Sequence, residues 1–267
     1  LTAGILLAGA VAHLFVQGRM GLMMKTFHPE KKANNQFWHA RVNRGEIATP
    51  GPPAGDPVRL YSYYRSSAAY RVRIALNLKG LPYEYVPVNL LMSEQKSGPY
   101  TARNPQGLVP ALELPGGEMI AQSLAILEWL EETCPPPALL PDDPLQRARV
   151  RSLVNNITCD IHPLNNLSVL NYLRVELGAG DEDVHRWYCN WVDRGFSAIE
   201  QSLAGTMGDC CFGDQLTLAD VCLIPQVYNA YRFKVPMEPY PNIRQVVQHC
   251  NSLEAFARAA PEAQPDA

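Results

Sequence analysis

The sequence predicts two folded units in succession, an α/β domain followed by an all-helical one. Three observations carry this reading. Between Val58 and Thr133, short β-type runs alternate with runs of helical period. The stretch "CPPPALLPDDP", Cys134 to Pro144, then breaks the pattern, because proline cannot continue a helix. Beyond it the apolar residues recur at helical spacing and no strand signal returns.

The elements follow in order. "VRLYSYY" is aromatic and apolar, bounded by Pro57 and by serines, and reads as a strand. Ser66 and Ser67 are N-cap residue types, after which Val72, Ile74, Ala75 and Leu78 fall at helical spacing as far as Lys79-Gly80. "YEYVPVNL" reads as a second strand and "SEQKSGPYTARNP" as a polar connector. "LVPALEL" and "EMIAQ" flank Pro115-Gly116-Gly117, a hairpin signal, and a helix is expected from Ser123 to about Thr133. This α/β unit spans residues 58–137. Four helix-period segments, beginning "LQRARVRSLV", "DVHRWYCNWV", "TLADVCLIPQ" and "IRQVVQHCNS", fill a second unit over 145–260.

Residues 1–57 follow another grammar. The opening run "LTAGILLAGAVAHLFVQG" is shorter than the roughly twenty residues of a membrane span, and no basic residues precede it as in a signal peptide. A polar, aperiodic stretch and a Pro/Gly-rich linker follow, so this segment is expected to be a disordered prefix outside the fold.

Composition narrows the function classes. A 267-residue chain with 47% hydrophobic and 18% charged residues can bury real cores. Its net charge of −3 supplies no basic field for nucleic acid or an anionic membrane, so neither is expected as a partner. Seven cysteines, an odd set without a CxxC pair, read as reduced thiols of a cytoplasmic protein and not as metal ligands.

Chemistry is concentrated where strands meet helices. The amides that open a helix lack intrahelical partners and carry partial positive charge, so Ser66 and Ser67 stand where an anion would be held. A thiolate is such an anion, and donors aimed at it lower the thiol's pKa. The same two serines also suit a plain helix cap. Val109-Pro110 precedes a strand, where a cis bond would turn the backbone groups of Val109 outward toward an extended ligand. Gln122 and Ser123 open the next helix and repeat the pattern of hydroxyl, side-chain amide and free N–H groups.

The motifs "SSxxxRVRIALxLKG", "NPQGLVPAL", "QSLAILEWLEE", "HPLNNLSVL", "LTLADVCLIPQVYNAYRFKV" and "APEAQPD" together resemble the zeta class of glutathione transferases, and within it the maleylacetoacetate and maleylpyruvate isomerases. The resemblance runs from about Arg59 to Asp266. It implies a thioredoxin-like N-terminal domain, a helical C-terminal domain, glutathione as cofactor and a homodimer. It also implies glutathione contacts at Ser66, Ser67, Ala68 and Arg71, at Gln95, at Val109 and Pro110, at Gln122 and Ser123, and at His162, Asn166 and Ser168. One departure stands out: many relatives place cysteine after the two serines, where this chain has Ala68. A mechanism that needs a protein thiol there is thereby disfavoured.

The implied reaction is cis–trans isomerisation of a diketo acid with two carboxylates, in which a thiolate held by Ser66 or Ser67 adds to the double bond so that rotation can occur. Spacing does not choose between the serines. Arginine suits the carboxylates because its planar fork binds them in two places and stays ionised. Arg65, beside the serines, and Arg232, in "NAYRFKV", are the two expected clamps. Arg71 and Arg73 are expected to be chiefly structural, pairing with Asp or Glu across the domain interface. The alternatives are a general transferase, which conjugates small electrophiles and needs no pair of clamps, and a non-catalytic glutathione-binding scaffold.

Overall fold

A computed structural model describes residues 57–134 and 137–267. The expected disordered prefix therefore lies, apart from Pro57, outside the described residues. Within them the alternating pattern becomes β1 (Val58–Ser62), α1 (Ser67–Leu78), β2 (Tyr83–Pro87), α2 (Gly98–Thr101), β3 (Ala111–Glu113), β4 (Met119–Ala121) and α3 (Ser123–Thr133). The four strands form one mixed sheet in the order β2-β1-β3-β4. β1 and β2 run parallel, joined by α1 as a crossover, while β1–β3 and β3–β4 are antiparallel. The connector after β2 is more structured than its polar sequence suggests: a 3-10 turn at Glu94–Lys96 and then α2. Tyr100 explains this, since the ring is buried against Tyr61 and the hydroxyl donates to Leu108 O at 2.6 Å.

The second unit consists of α4 (Pro144–Asn155), α5 (Leu167–Val175), α6 (Asp181–Leu203), α7 (Leu218–Arg232), α8 (Pro241–Asn251) and α9 (Glu254–Ala259). α7 is buried along most of its length and starts with a capping box, in which Asp220 accepts from the Thr217 N–H at 2.8 Å. α1 packs against α3 on one side and against α7 and α9 on the other, so it is the seam between the two units. That burial accounts for its sequence: every residue from Ala69 to Leu76 is inaccessible, two arginines included. Lys79 closes the helix and holds the exit from α3, with Nζ 2.7 Å from Glu131 and 2.7 Å from Cys134 O.

The two arginines of α1 correct the expectation of carboxylate partners. Arg73 donates to Ala259 O at 2.9 Å, Ser62 Oγ at 3.1 Å and Tyr64 O at 3.0 Å. Arg71 donates to Ser123 Oγ at 3.4 Å. Neither forms an ion pair among the described residues. At this seam the acceptors around Arg73 are carbonyls and a hydroxyl left over at strand and helix ends, so its guanidinium fork satisfies backbone, whereas Arg71 meets a single hydroxyl. The chain past residue 260 is likewise part of the packing: Asp266 accepts from the Tyr64 N–H at 3.1 Å and from the Tyr85 hydroxyl at 2.6 Å.

Candidate functional site

Strand register brings the sequence-predicted motifs to one end of the sheet. Tyr61 pairs with Ala111, and Ala111 with Ala121, both antiparallel. Two residues further along the same register, Val109 stands level with Tyr63 on one side and Ser123 on the other. The start of α1, the Val109-Pro110 turn and the start of α3 therefore share one edge. The Val109-Pro110 peptide is cis, and Val109 lies outside the β3 ladder. Tyr100 and the Asn104 amide both donate to Leu108 O, at 2.6 and 2.8 Å, and hold the approach to this turn.

At the start of α1, Ser66 is the N-cap: its Oγ accepts from the Ala69 N–H at 3.2 Å. That bond uses an oxygen lone pair and leaves the hydroxyl proton available to a ligand. Ser67 is buried, and its Oγ lies 2.9 Å from His162 Nδ1. Ala68 is half-buried beside them. His162 is delivered by a π-helical turn, Asn156–Ile161, that continues α4 and closes with the His162 N–H donating to Ile157 O at 2.9 Å. Such turns shift a helix's phase and recur at functional sites. A Cβ at Gly195 of α6 would run into Ile161, so glycine there lets the turn pack close. Burial, and next the positive charge of Arg71, push the His162 imidazole down to about 3, which keeps it neutral.

At the start of α3, Gln122 adopts φ 72° and ψ 121°, a region that costs a non-glycine residue on the order of 1–3 kcal/mol. Its side chain makes no cap bond; its amide donates instead to Gln106 Oε1 at 2.8 Å. Gln106 sits in the quoted "NPQGLVPAL" motif but was not predicted as a site residue. Its polar side chain one residue before a positive-φ glycine, Gly107 (φ 59°), was the available signal. The Gln95 carbonyl packs so close to Gly107 that a side chain there would collide with it. The Gln95 backbone thus lies against the loop that leads to Val109.

Arg65 and Arg232 are both exposed. Arg65 stacks over Tyr64 at 4.8 Å and Arg232 over Phe233 at 5.1 Å, and neither has a carboxylate partner among the described residues. Burial raises the Tyr63 and Tyr228 phenols, and the positive charges of Arg65 and Arg232 both act against that rise. Arg232, Tyr228, Tyr231, Val227 and Tyr70 line a cleft of about 380 Å³. Asn166 and Ser168 have another task. Asn166 caps α5, accepting from the Val169 N–H at 3.1 Å and from the Ser168 hydroxyl at 2.6 Å, and no contact ties either residue to Ser66 or Ser67. Among the described residues no group of three or more His, Cys, Asp or Glu is placed to hold a metal ion, and no helix is long and apolar enough to cross a membrane.

Residues 60–138 match the family model of the glutathione S-transferase N-terminal domain, and residues 190–254 that of the C-terminal domain. A probable maleylacetoacetate isomerase of Vibrio cholerae is 50% identical over 210 residues, 78% of this chain and 97% of that one. The chain belongs to the glutathione transferase family. Within it the zeta class is shown by a solved structure, a holo maleylpyruvate isomerase described as a bacterial zeta-class glutathione transferase. It is 50% identical, covers 78% of this chain and 99% of its own, and superposes with a TM-score of 0.77. A maleylacetoacetate isomerase from Methylobacterium extorquens AM1, solved with bound malonate and glutathione, is 40% identical with a TM-score of 0.76, over 78% of this chain and 99% of its own. The thioredoxin-like sheet followed by helices is thus the glutathione transferase fold, as the sequence motifs implied.

Proposed function

We propose that this zeta-class chain is a glutathione-dependent cis–trans isomerase of a maleyl diketo acid, either maleylacetoacetate or maleylpyruvate. The supporting observation is the pairing of two different anion-friendly surfaces on one edge. One is peptide-like: two helix N-termini flank Val109, which precedes the β3 ladder at the cis-proline turn. The other is the pair of exposed, carboxylate-free guanidiniums at Arg65 and Arg232. The first fits an extended anionic tripeptide, since neither α1 nor α3 carries an acidic residue in its first turn to neutralise the helix dipole. Bound glutathione supplies a nucleophilic thiolate that makes the substrate's double bond transiently single.

The protein's residues do the rest. Ser66 offers its free hydroxyl proton to the thiolate. Ser67 and neutral His162 form a fixed polar pair behind it. Ser123 and the open amides of α3 hold a carboxylate, with Gln122, Gln95 and Val109 along the remaining length. Arg65 and Arg232 take the substrate carboxylates and the negative charge that develops next to its keto group. We place Asn166 and Ser168 at the margin of this site, where capping α5 fixes the backbone just after His162. A general transferase would use the same serines but has no need of two clamps.

The decisive assay follows loss of each cis substrate's absorbance with and without glutathione; turnover without glutathione, or of neither substrate with it, refutes the reading. Arg232→Ala should raise the diacid KM or lower kcat by about tenfold or more, as loss of a charged hydrogen bond does, with glutathione affinity unchanged. Normal isomerisation by that variant would remove the clamp. We also propose a cytoplasmic homodimer. All seven cysteines are free, and Leu91, Met92, Tyr172 and Val175 are exposed apolar side chains suited to a second copy. Light scattering at micromolar concentration checks the dimer.

A further inference from the structure

Arg71 is among the largest fully buried side chains of the described residues, and none of these residues pairs with it as a counter-charge. Its one hydrogen bond goes to Ser123 Oγ at 3.4 Å, and its Nε and Nη2 have no partner among the described residues. It forms no ion pair with a carboxylate among the described residues, and the nearby Cys222 thiol, which burial keeps protonated, brings it no charge. Arg73, two residues on, shows what a structural buried arginine looks like here, with carbonyl and hydroxyl acceptors around the fork. A buried cation left unpaired is a strongly unfavourable arrangement. Selection for stability alone would replace it with an apolar side chain.

Its position gives the reason. Arg71 lies behind the edge where α1 and α3 begin, bonded to Ser123 on one side and acting on His162, the partner of Ser67, on the other. With only 2% of its surface exposed, it reaches a ligand through Ser123, whose oxygen it occupies so that the hydroxyl proton points away from the guanidinium. We infer that Arg71 is a positioning residue whose unpaired charge is neutralised by the carboxylate end of bound glutathione, so that the apo protein is destabilised by this charge and ligand uptake relieves it. The inference rests on the reading of this edge as the glutathione site.

The test compares the full chain with Arg71→Met, Arg71→Gln and Arg71→Lys, by thermal unfolding without ligand and by calorimetric titration with glutathione and with S-methylglutathione, which lacks the thiol. The Met variant is expected to melt at or above the wild-type temperature without ligand, and to bind both compounds about tenfold or more weakly. Gln keeps a donor for Ser123 without the charge and should lose affinity as Met does; Lys should retain most of it. Wild-type affinity in the Gln variant overturns the inference. So does a Met variant that melts well below wild type or fails to fold, because the guanidinium would then be an internal strut. If the wild type itself takes up neither compound, the glutathione reading falls, whereas a raised melting temperature of the ligand-free Met variant would still report an uncompensated charge.

Discussion

The helix that starts at Ser67 and the helix that starts at Ser123 meet the same edge in opposite states of satisfaction. Ser66 caps the first from an ordinary extended conformation, φ −71° and ψ 113°, and its oxygen takes one of the open amides. Gln122 precedes the second at φ 72° without capping it, and its side chain turns to Gln106 instead. Two other starts, by contrast, carry acidic residues in the first turn: α6 has Asp181, Glu182 and Asp183, and α7 has Asp220. The difference assigns work. The first start has a finished cap and a spare hydroxyl proton, which suits stabilising a single charged atom. The second keeps its amides open and tolerates strain, which suits gripping a carboxylate.

Breaking the first start should have the largest effect. Ser66→Ala removes the free donor and is expected to lower kcat/KM by about 10²–10³-fold, the usual cost of one preorganised donor to a developing anion. Ser67→Ala should cost less, because the Ser67 hydroxyl is already engaged with His162. Ultraviolet absorbance of the bound thiolate against pH checks the assignment: its apparent pKa should rise in the Ser66 variant. A reversed order of the two variants would exchange their roles.

Breaking the second start should separate stability from binding. Gln122→Gly relieves the positive φ at no steric cost, with part of the gain lost to the flexibility of glycine in the unfolded chain. The melting temperature should stay level or rise, while glutathione binds about tenfold more weakly, as expected on losing a polar side chain from an anion site. If stability and affinity fall together, the strained conformation is simply what the hairpin requires.

The sheet and the helix sequence were legible because alternation, N-cap residues and turn dipeptides are local signals, and β1, β2 and the span of α3 follow directly from them. α2 was not: its four residues carry no period, and they are ordered by Tyr100 packing across the chain on Tyr61. The site was legible as a set of motifs, but not as a set of roles. No spacing rule says that Ser67 faces His162, ninety-five positions away, or that Arg71 is buried without a counter-charge. Asp266 was quoted within a motif, yet its grip on Tyr64, the residue next to Arg65, depends on the C-terminal segment crossing back to β1 and β2. These are long-range pairings, and a local reading has no access to them.

The smallest expected effect concerns His162, the partner of Ser67, and it appears in stability before activity. Its imidazole is held at about 3 by burial and then by Arg71, whereas in the unfolded chain histidine titrates near ~6.5. Between those values the unfolded state binds the extra proton, so stability rises with pH through that window and is constant with respect to this group above it. Lowering pH from 6.5 should therefore weaken the wild-type fold, and His162→Gln should flatten the upper part of that decline, from about 6.5 to 5, before the carboxylates begin to protonate. Denaturant titrations at several pH values measure this directly. The same reasoning requires that the rate of isomerisation show no limb from His162 between about pH 6 and 9. A limb near 6.5 that disappears in the Gln variant would mean that the imidazole takes up a proton in the folded protein, and that Ser67 is paired with a titrating group and not a fixed one.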